Sequence, residues 1–318
     1  MVNVSVVMSV RDKDDFKQSL ESILSQSLDD VEVICIDKDK LLNDEDVIIM
    51  DELDLNGLNG KYTYFLHSGD LIEKDAFRKC FDICEAQSLD FVQFDPEGES
   101  DDEIYNFSEY LGRTFRLDMA RNARFLKTSF IRGLKDISDV DYLFFWDCFF
   151  NAGKFSLEDI NYKSKESPAD YVKEIDDSNK VFTKFQDYNL LSKNKYILFD
   201  WRIELLYDTY LKVSDDLKES CYEEYKHDFT KMLYDWKFTD FSAFCEPINK
   251  LFFNDIVYSQ DFEEFKKLMV QYELELETTE LERQQKIIRK NIKFFERENQ
   301  MIMNSTSWKL TRPLRKLK

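Results

Sequence analysis

Short continuous apolar runs alternate with helically spaced apolar residues in the first half of the chain. Residues 4–10, 31–36 and 62–66 read as buried strands, because they are rich in β-branched or aromatic side chains and end at polar turns. Between the first two runs, apolar residues over 16–24 recur at helical spacing. A strand, helix and strand of this length predict parallel strands joined by a crossover. The pattern therefore predicts an α/β domain.

Longer elements follow. A helix is predicted for residues 75–88, a strand for 89–94 and a short strand for 155–160. Beyond 167–168, long amphipathic stretches such as 196–213 and 262–277 predict helices, and only 7 Gly and 4 Pro interrupt the 318 residues. The predicted organisation is an α/β domain over 1–165, a helical domain over 166–260, and a long helix with a basic tail over 261–318.

Polar and acidic residues stand where two of the predicted strands end. Asp37 follows the second strand, and His67, Ser68, Gly69 and Asp70 follow the third. The carboxyl ends of parallel strands share one edge of the sheet, and open α/β sheets bind ligands at that edge. The competing interpretation is an ordinary strand, turn and helix in which Gly69 allows a tight turn.

Charge narrows the class of partners. The chain has 44 Lys and Arg against 64 Asp and Glu, which gives a net charge of −20 and a pI near 4.6. No nucleic-acid partner is therefore expected. Residues 281–318 carry eleven basic and three acidic side chains, a net charge of +8, so the preceding 280 residues carry −28.

The cysteines and apolar runs indicate a cytoplasmic protein. No apolar run reaches the about 18 residues of a membrane span, and residues 2–10 are too short for a signal peptide. The cysteines lie mostly in apolar runs without metal-type pairing, and we interpret them as reduced core thiols. They are Cys35, Cys80, Cys84, Cys148, Cys221 and Cys245.

Three segments resemble motifs of the family 2 glycosyltransferases. The first, VSVVMSVRDKDDFKQSLESILSQSLDDVEVICID from Val4, resembles the family's strand, helix and strand ending in Asp-Asp-Gly-Ser. The second, KYTYFLHSGDLIEKDAF from Lys61, resembles Gly-Lys-Tyr-x-x-Phe-Leu-Asp-Ser-Asp-Asp, and the third, DYLFFWDCFFNAGKFS from Asp141, resembles Glu-Asp-x-x-Phe-Phe. The resemblance implies a GT-A fold, which is a Rossmann-like domain with a parallel or mixed sheet, followed here by an α-helical region.

The chain departs from the family pattern at its acidic motifs. His67 and Gly69 occupy the Asp-x-Asp positions, which leaves Asp70 as the remaining carboxylate of that cluster. In the third motif Val140 replaces the Glu, while Asp141 is kept.

The resemblance implies donor contacts and a base. Ser9, which stands at the family's Pro, belongs to the donor-contacting set, and Asp37 would contact the nucleoside. Asp70 and Arg124 would act at the diphosphate. Asp141 would be the base that takes a proton from the acceptor hydroxyl, and burial beside aromatic residues is expected to raise its pKa. Capping of the following helix is the competing role for Asp141.

The same resemblance implies Mg²⁺ or Mn²⁺ at the diphosphate, held by Asp70 and His67. Two alternatives stay open. Asp70 with solvent ligands could suffice, or cations such as Arg124 and Lys127 could carry part of the charge. A solvated surface position is the competing interpretation of Arg124.

The C-terminal part predicts a different kind of contact. Leu274, Leu281, Ile288 and Phe295 recur at sevens, which predicts a long helix suited to a coiled coil or homo-oligomer. Residues 308–318 combine Trp and Leu with cations, and resemble an ending found in many bacterial and archaeal family 2 enzymes. This tail predicts a peripheral location at the inner face of the cell membrane. The alternative is a disordered basic terminus against the acidic body.

The expected function is transfer of a sugar, with inversion, from a nucleotide sugar to a glycan or lipid-linked acceptor of cell-surface polysaccharide or glycoprotein. Two other classes compete with it. One is a pseudo-glycosyltransferase that acts as a binding or scaffold subunit, which the degenerate acidic motif favours. The other is a helical assembly protein, which would not fold its first 165 residues around a parallel sheet.

Overall fold

The chain folds into two compact units. The structure, a computed structural model, describes residues 2–42, 47–96, 104–105, 114–134, 137, 141–165, 169–236 and 246–271. Of these, the first unit contains the residues up to Cys221 together with Glu246, and the second contains those from Tyr222 to Trp236 and from Pro247 to Gln271. Two long helices that the sequence analysis assigns to the helical domain thus belong to the first unit.

A mixed sheet of seven strands forms the centre of the first unit. The strands are β1 (Val4–Ser9), β2 (Val31–Ile36), β3 (Ile48–Met50), β4 (Tyr62–His67), β6 (Phe91–Phe94), β7 (Arg124–Lys127) and β8 (Phe155–Glu158). Their order is β3-β2-β1-β4-β7-β6-β8. A separate antiparallel pair consists of β5 (Leu71–Ile72) and β9 (Tyr162–Lys163). The predicted α/β architecture is confirmed, and the helical assembly protein is excluded.

The four strands β1 to β4 are parallel, and their register places their carboxyl ends together. Ser9 of β1 pairs with Ile36 of β2 on one side and with His67 of β4 on the other. The parallel arrangement follows from the crossover through α1 (Lys13–Leu24), whose N-cap Asp12 accepts hydrogen bonds from the backbone N–H groups of Asp14 and Asp15. Antiparallel β7 then joins β4 to the far half of the sheet.

Helices cover the sheet and extend the first unit. They are α2 (Ala76–Gln87), α3 (Thr128–Ile131), α4 (Asp141–Asn151), α5 (Tyr171–Asp187) and α6 (Leu191–Lys212). Strands β3 and β7 were not predicted, because β3 has three residues and β7 runs straight into α3. Short 3₁₀ turns at Leu55–Gly57 and Arg121–Ala123 complete the described part of the unit.

Aromatic side chains fill the core between these layers. Tyr64 and Phe77 pack edge to face with centroids 5.2 Å apart, and Phe91 stacks on Phe155 at 5.1 Å. Cys35, Cys80, Cys84, Cys148 and Cys221 are buried, as predicted, whereas Cys245 lies outside the described residues. Aromatic contacts of this kind add to the burial of apolar area that stabilises the domain.

The second unit is helical. Its described part comprises α7 (Lys218–Trp236) from Tyr222 onward, α8 (Pro247–Tyr258) and α9 (262–271). Tyr222 stacks on Phe265, and Phe229 packs on Phe253. Tyr222 and Tyr225 are core residues. The heptad positions from Leu274 to Phe295 and the basic tail lie outside the described residues.

Gly60 allows β4 to begin against β1. A Cβ at this position would lie 2.2 Å from the backbone nitrogen of Ser5, so Gly60→Ala forces the two strands apart. We expect this substitution to lower the free energy of unfolding by about 1–3 kcal/mol. Gly57→Ala is the matched control, because its Cβ would make ordinary contacts from 3.5 Å outward. Chemical denaturation checks the pair, and equal stability of the two variants would contradict the strand arrangement.

Candidate functional site

The carboxyl ends of β1, β2 and β4 open onto a cleft of about 750 Å³. Ser9 and His67 line it directly, whereas Asp37 and Asp70 are not among its lining residues. Among the described residues, the lining consists of Val7, Ser9, Val10, Arg11, Ile36, Lys38, Asp39, Glu52, Leu53, Leu55, His67, Arg121, Leu134 and Ile137. A cleft at this edge of an α/β sheet is the usual position of a ligand site.

A tight turn follows β4 and sets the direction of His67. The Asp70 N–H donates to the His67 carbonyl at 3.0 Å, and Gly69 has φ +99°, a conformation that favours glycine. A Cβ at Gly69 would also meet the side chain of Lys165 at 2.4 Å. Gly69 stands at the position of the second Asp in the family's Asp-x-Asp motif, because this turn requires glycine there.

The Asp70 carboxylate holds this turn in place. It is 3% exposed, and its two oxygens accept the backbone N–H groups of His67 and Lys165, both at 2.8 Å. Burial raises the pKa of Asp70 in spite of these two hydrogen bonds, which lower it. Asp70 therefore stabilises the turn after β4, in addition to any role in ligand binding.

Ser68 ties the same turn to the loop after β1. Its Oγ accepts hydrogen bonds from the backbone N–H groups of Arg11, at 2.8 Å, and Asp12, at 3.2 Å. On the other side, the buried Ser19 of α1 accepts from the Gly69 N–H and donates to the Asp70 carbonyl, each at 2.8 Å. The position of Arg11 at the cleft therefore depends on the turn after β4.

Asp37 organises the loop after β2. Its carboxylate accepts the backbone N–H groups of Leu41, at 3.0 Å, and Leu42, at 2.7 Å, and the residue is 1% exposed. The neighbouring Lys38 and Asp39 are the residues of this loop that reach the cleft.

One imidazole, one carboxylate and two guanidinium groups meet at the β4 side of the cleft. His67 Nε2 lies 3.2 Å from Arg11 Nη2 and 3.9 Å from Asp141 Oδ1. Arg121 Nε lies 3.4 Å from the same Asp141 oxygen, and its guanidinium rests over the rings of Phe65 and Phe144. Sequence reasoning missed Arg121, whose position before β7 carries no motif.

Asp141 is the first residue of α4 and is reachable from solvent, with 35% of its side chain exposed. Partial burial acts to raise its pKa, but the interaction with His67 and the charge of Arg121 outweigh burial, and the pKa lies below its usual value of 3.8. The start of a helix also favours an anion. The prediction of a raised pKa is therefore wrong, because aromatic neighbours alone do not describe this environment.

Arg124 lies in the core beneath Phe145, away from the cleft lining. It is fully buried, its Nε donates to Gln93 Oε1 at 2.9 Å, and its Nη2 donates to the Asp118 carbonyl at 3.2 Å. Burial lowers its pKa. The surface interpretation of Arg124 is wrong, since the strand β7 points this side chain inward.

The residues predicted to hold Mg²⁺ or Mn²⁺ do not make a metal-binding set. Among the described residues, no three His, Cys, Asp or Glu side chains lie close enough together to bind an ion. Both Asp70 oxygens already accept backbone hydrogen bonds, and a metal at His67 Nε2 would have to displace the Arg11 guanidinium. Asp70 and His67 therefore offer few ligand atoms of their own, and a divalent cation here would depend on solvent and phosphate oxygens.

Comparisons with known proteins identify the fold. No protein-family model and no curated protein sequence match the chain. Residues 1–349 of TarS from S. aureus match at 13% identity with a TM-score of 0.56, covering 86% of this chain and 92% of that chain. The complex of the same TarS segment with UDP-GlcNAc matches at 13% identity with a TM-score of 0.58 over the same shares. The predicted class, a GT-A type α/β domain followed by helices, is confirmed.

None of the helices that the structure describes combines the length and the apolar character that a bilayer span requires.

Ser68→Ala should loosen the cleft. The substitution leaves the N–H groups of Arg11 and Asp12 without their acceptor, and we expect the free energy of unfolding to fall by about 1–3 kcal/mol. Ser25→Ala is the control, because this exposed serine donates only to the Ser22 carbonyl within α1. Thermal unfolding measures both variants, and a Ser68→Ala protein as stable as Ser25→Ala would refute the role of Ser68.

Proposed function

We propose that the chain is a glycosyltransferase that moves a sugar from a nucleoside diphosphate donor to a hydroxyl group of a glycan or lipid-linked acceptor. The product would belong to cell-surface polysaccharide or glycoprotein. One observation carries the proposal: Asp141, a carboxylate ionised at neutral pH and open to solvent, contacts His67 and Arg121, which line the strand-end cleft. A base and an anion-binding wall therefore adjoin one ligand-sized cavity.

The cleft has two chemically different sides. Strand order places β2 and β3 on one side of β1 and β4 on the other. The β2 and β3 side contributes Leu53 and Leu55 with the polar Asp39 and Glu52, which suits a nucleoside that needs both stacking area and hydrogen-bond acceptors. The β4 side contributes Arg11 and Arg121, which suit a diphosphate.

The likeness to TarS supports this placement of a donor. That protein has been solved with UDP-GlcNAc on the same fold, so a nucleotide sugar is a ligand that the fold can accommodate. We propose a donor of this class for the present chain.

We propose the following reaction for Asp141, the acceptor and the donor. Asp141 takes the proton of the acceptor hydroxyl as its oxygen attacks the anomeric carbon. A bond forms from that oxygen to the carbon while the bond from the carbon to the diphosphate oxygen breaks, and the nucleoside diphosphate leaves with the electron pair. A single displacement of this kind inverts the anomeric centre.

The remaining predicted residues take supporting places in this proposal. Ser9, which lines the cleft at the end of β1, would contact the donor. Asp37 would act on the nucleoside through the loop that it caps, and Asp70 would hold the turn that carries His67. The buried Arg124 would support the sheet below the cleft.

The cytoplasmic location, the contact of the basic tail with the inner face of the membrane and assembly through the C-terminal helix stay predictions. The tail and most of that helix lie outside the described residues.

Asp141→Asn should remove the base while keeping the shape of the side chain. We expect released nucleotide, measured over a panel of nucleotide sugars and glycan acceptors, to fall by about 10²- to 10⁴-fold. Asp82→Asn on the exposed face of α2 is the control and should keep full activity. An Asp141→Asn enzyme as active as the control would remove Asp141 from the mechanism.

A protein that binds nucleotides without turning them over would instead favour the scaffold alternative. The absence of an acidic side chain at Gly69 motivates that alternative. Thermal stabilisation by nucleoside diphosphates separates that protein from one that binds no nucleotide at all.

The pH profile of the reaction tests the ionisation of Asp141. Because its pKa lies below 3.8, the carboxylate is already deprotonated across the neutral range and becomes protonated only at lower pH. We therefore expect kcat/KM to show no acidic limb from Asp141 between about pH 8 and about pH 5. A limb in this range that persists in His67→Gln would contradict the assignment.

A further inference from the structure

We propose that guanidinium groups, rather than a divalent metal ion, neutralise the leaving diphosphate in this protein. The two groups are those of Arg11 and Arg121. This inference rests on the proposed function and concerns the same cleft. It departs from the metal use that the family resemblance implies.

The structure puts a cation beside one nitrogen of the predicted ligand His67. Arg11 Nη2 is 3.2 Å from His67 Nε2, the imidazole nitrogen that also faces Asp141 Oδ1 at 3.9 Å. A metal bound to Nε2 at about 2.1 Å would occupy the space beside this nitrogen that the guanidinium fills. Arg11 is held there through its backbone, because its N–H donates to Ser68 Oγ at 2.8 Å.

Arg121 supplies a second cation from a different element. Its side chain is 7% exposed, and the 3₁₀ turn Arg121–Ala123 delivers it to the cleft, where its guanidinium lies against the packed rings of Phe65 and Phe144. Contact with these two rings restricts the side chain, so little of its conformational freedom is lost when an anion binds. Its ion pair with Asp141 also fixes its distance from the proposed base.

The described residues supply few carboxylates on the β4 side of the cleft. Gly69 supplies no carboxylate, and the Asp70 oxygens are directed at backbone N–H groups. Among the described lining residues, the other charged side chains are Lys38, Asp39 and Glu52, all on the β2 and β3 side. Asp141, which the proposed reaction uses, pairs with Arg121.

Guanidinium groups suit this task. Their planar donor forks match the oxygens of phosphates, often through paired hydrogen bonds, and their charge persists at any physiological pH. Preorganised cations aimed at a leaving diphosphate stabilise the charge that develops there in the same sense as a metal ion. Arg11 and Arg121 would each carry part of the negative charge as the bond to the sugar breaks.

Calorimetric titration with a nucleoside diphosphate and its nucleoside tests the inference. UDP, GDP, ADP, CDP and dTDP are titrated first, each with EDTA and again with MnCl₂, and the tightest ligand is carried forward with its nucleoside. With EDTA, the wild-type protein should prefer the diphosphate over the nucleoside by about tenfold or more, which is the scale of one charge-assisted hydrogen bond. Manganese should change this preference by less than about threefold.

Arginine variants then show which side chains cause the preference for the diphosphate over the nucleoside. Arg11→Met should lower diphosphate affinity by about tenfold and leave nucleoside affinity within about twofold. Arg78→Met, which alters an exposed arginine of α2 that donates to the Ser27 carbonyl, should change neither affinity. Arg121→Lys keeps the charge at the buried position and should retain more of the preference than Arg121→Met. Nucleoside affinity shows in each case that the cleft is still formed.

The outcomes separate this inference from the function on which it rests. A preference that appears only with manganese, or that survives in Arg11→Met, overturns the arginine assignment and leaves a nucleotide-dependent transferase in place. Failure of every nucleotide to bind, with or without manganese, overturns the proposed function itself.

Discussion

The shared register of β1, β2 and β4 is the constraint on which the site depends. Ser9 pairs with both Ile36 and His67, so three chain segments that are distant in sequence finish at one edge of the sheet. Ser68 Oγ and the Asp70 carboxylate then accept the backbone N–H groups of Arg11 and His67, which fixes the positions of these residues at the cleft. Buried side chains with complete hydrogen bonding are costly to disturb, and the cleft is therefore built on a rigid base.

The electrostatics of the cleft differ from what an acidic motif would create. A body with many excess carboxylates would repel a diphosphate, yet the β4 side of the cleft presents Arg11 and Arg121. The same Arg121 lowers the pKa of Asp141 and keeps it anionic. The Arg121 guanidinium thus contacts the proposed base and also belongs to the proposed anion site. This arrangement requires that the 3₁₀ turn Arg121–Ala123 lie against the start of α4.

The sequence predicted the layout of the sheet better than the chemistry of the site. Continuous apolar runs located β1, β2 and β4, because buried parallel strands carry a strong local signal. The sequence could not show that the Asp37 and Asp70 carboxylates accept backbone N–H groups, because the partners of these carboxylates depend on tertiary structure. Arg121 was missed for the same reason, and Arg124 was misplaced because the strand that buries it is only four residues long.

The proposed function requires that the strand-end cleft hold a nucleoside diphosphate. A crystal structure of the protein with the nucleoside diphosphate that binds it most tightly would show where that ligand lies. We expect the base beside the β2 and β3 loops and diphosphate oxygens within about 3.2 Å of guanidinium nitrogens of Arg11 and Arg121. A nucleotide bound elsewhere on the chain, with this cleft filled only by solvent, would contradict it.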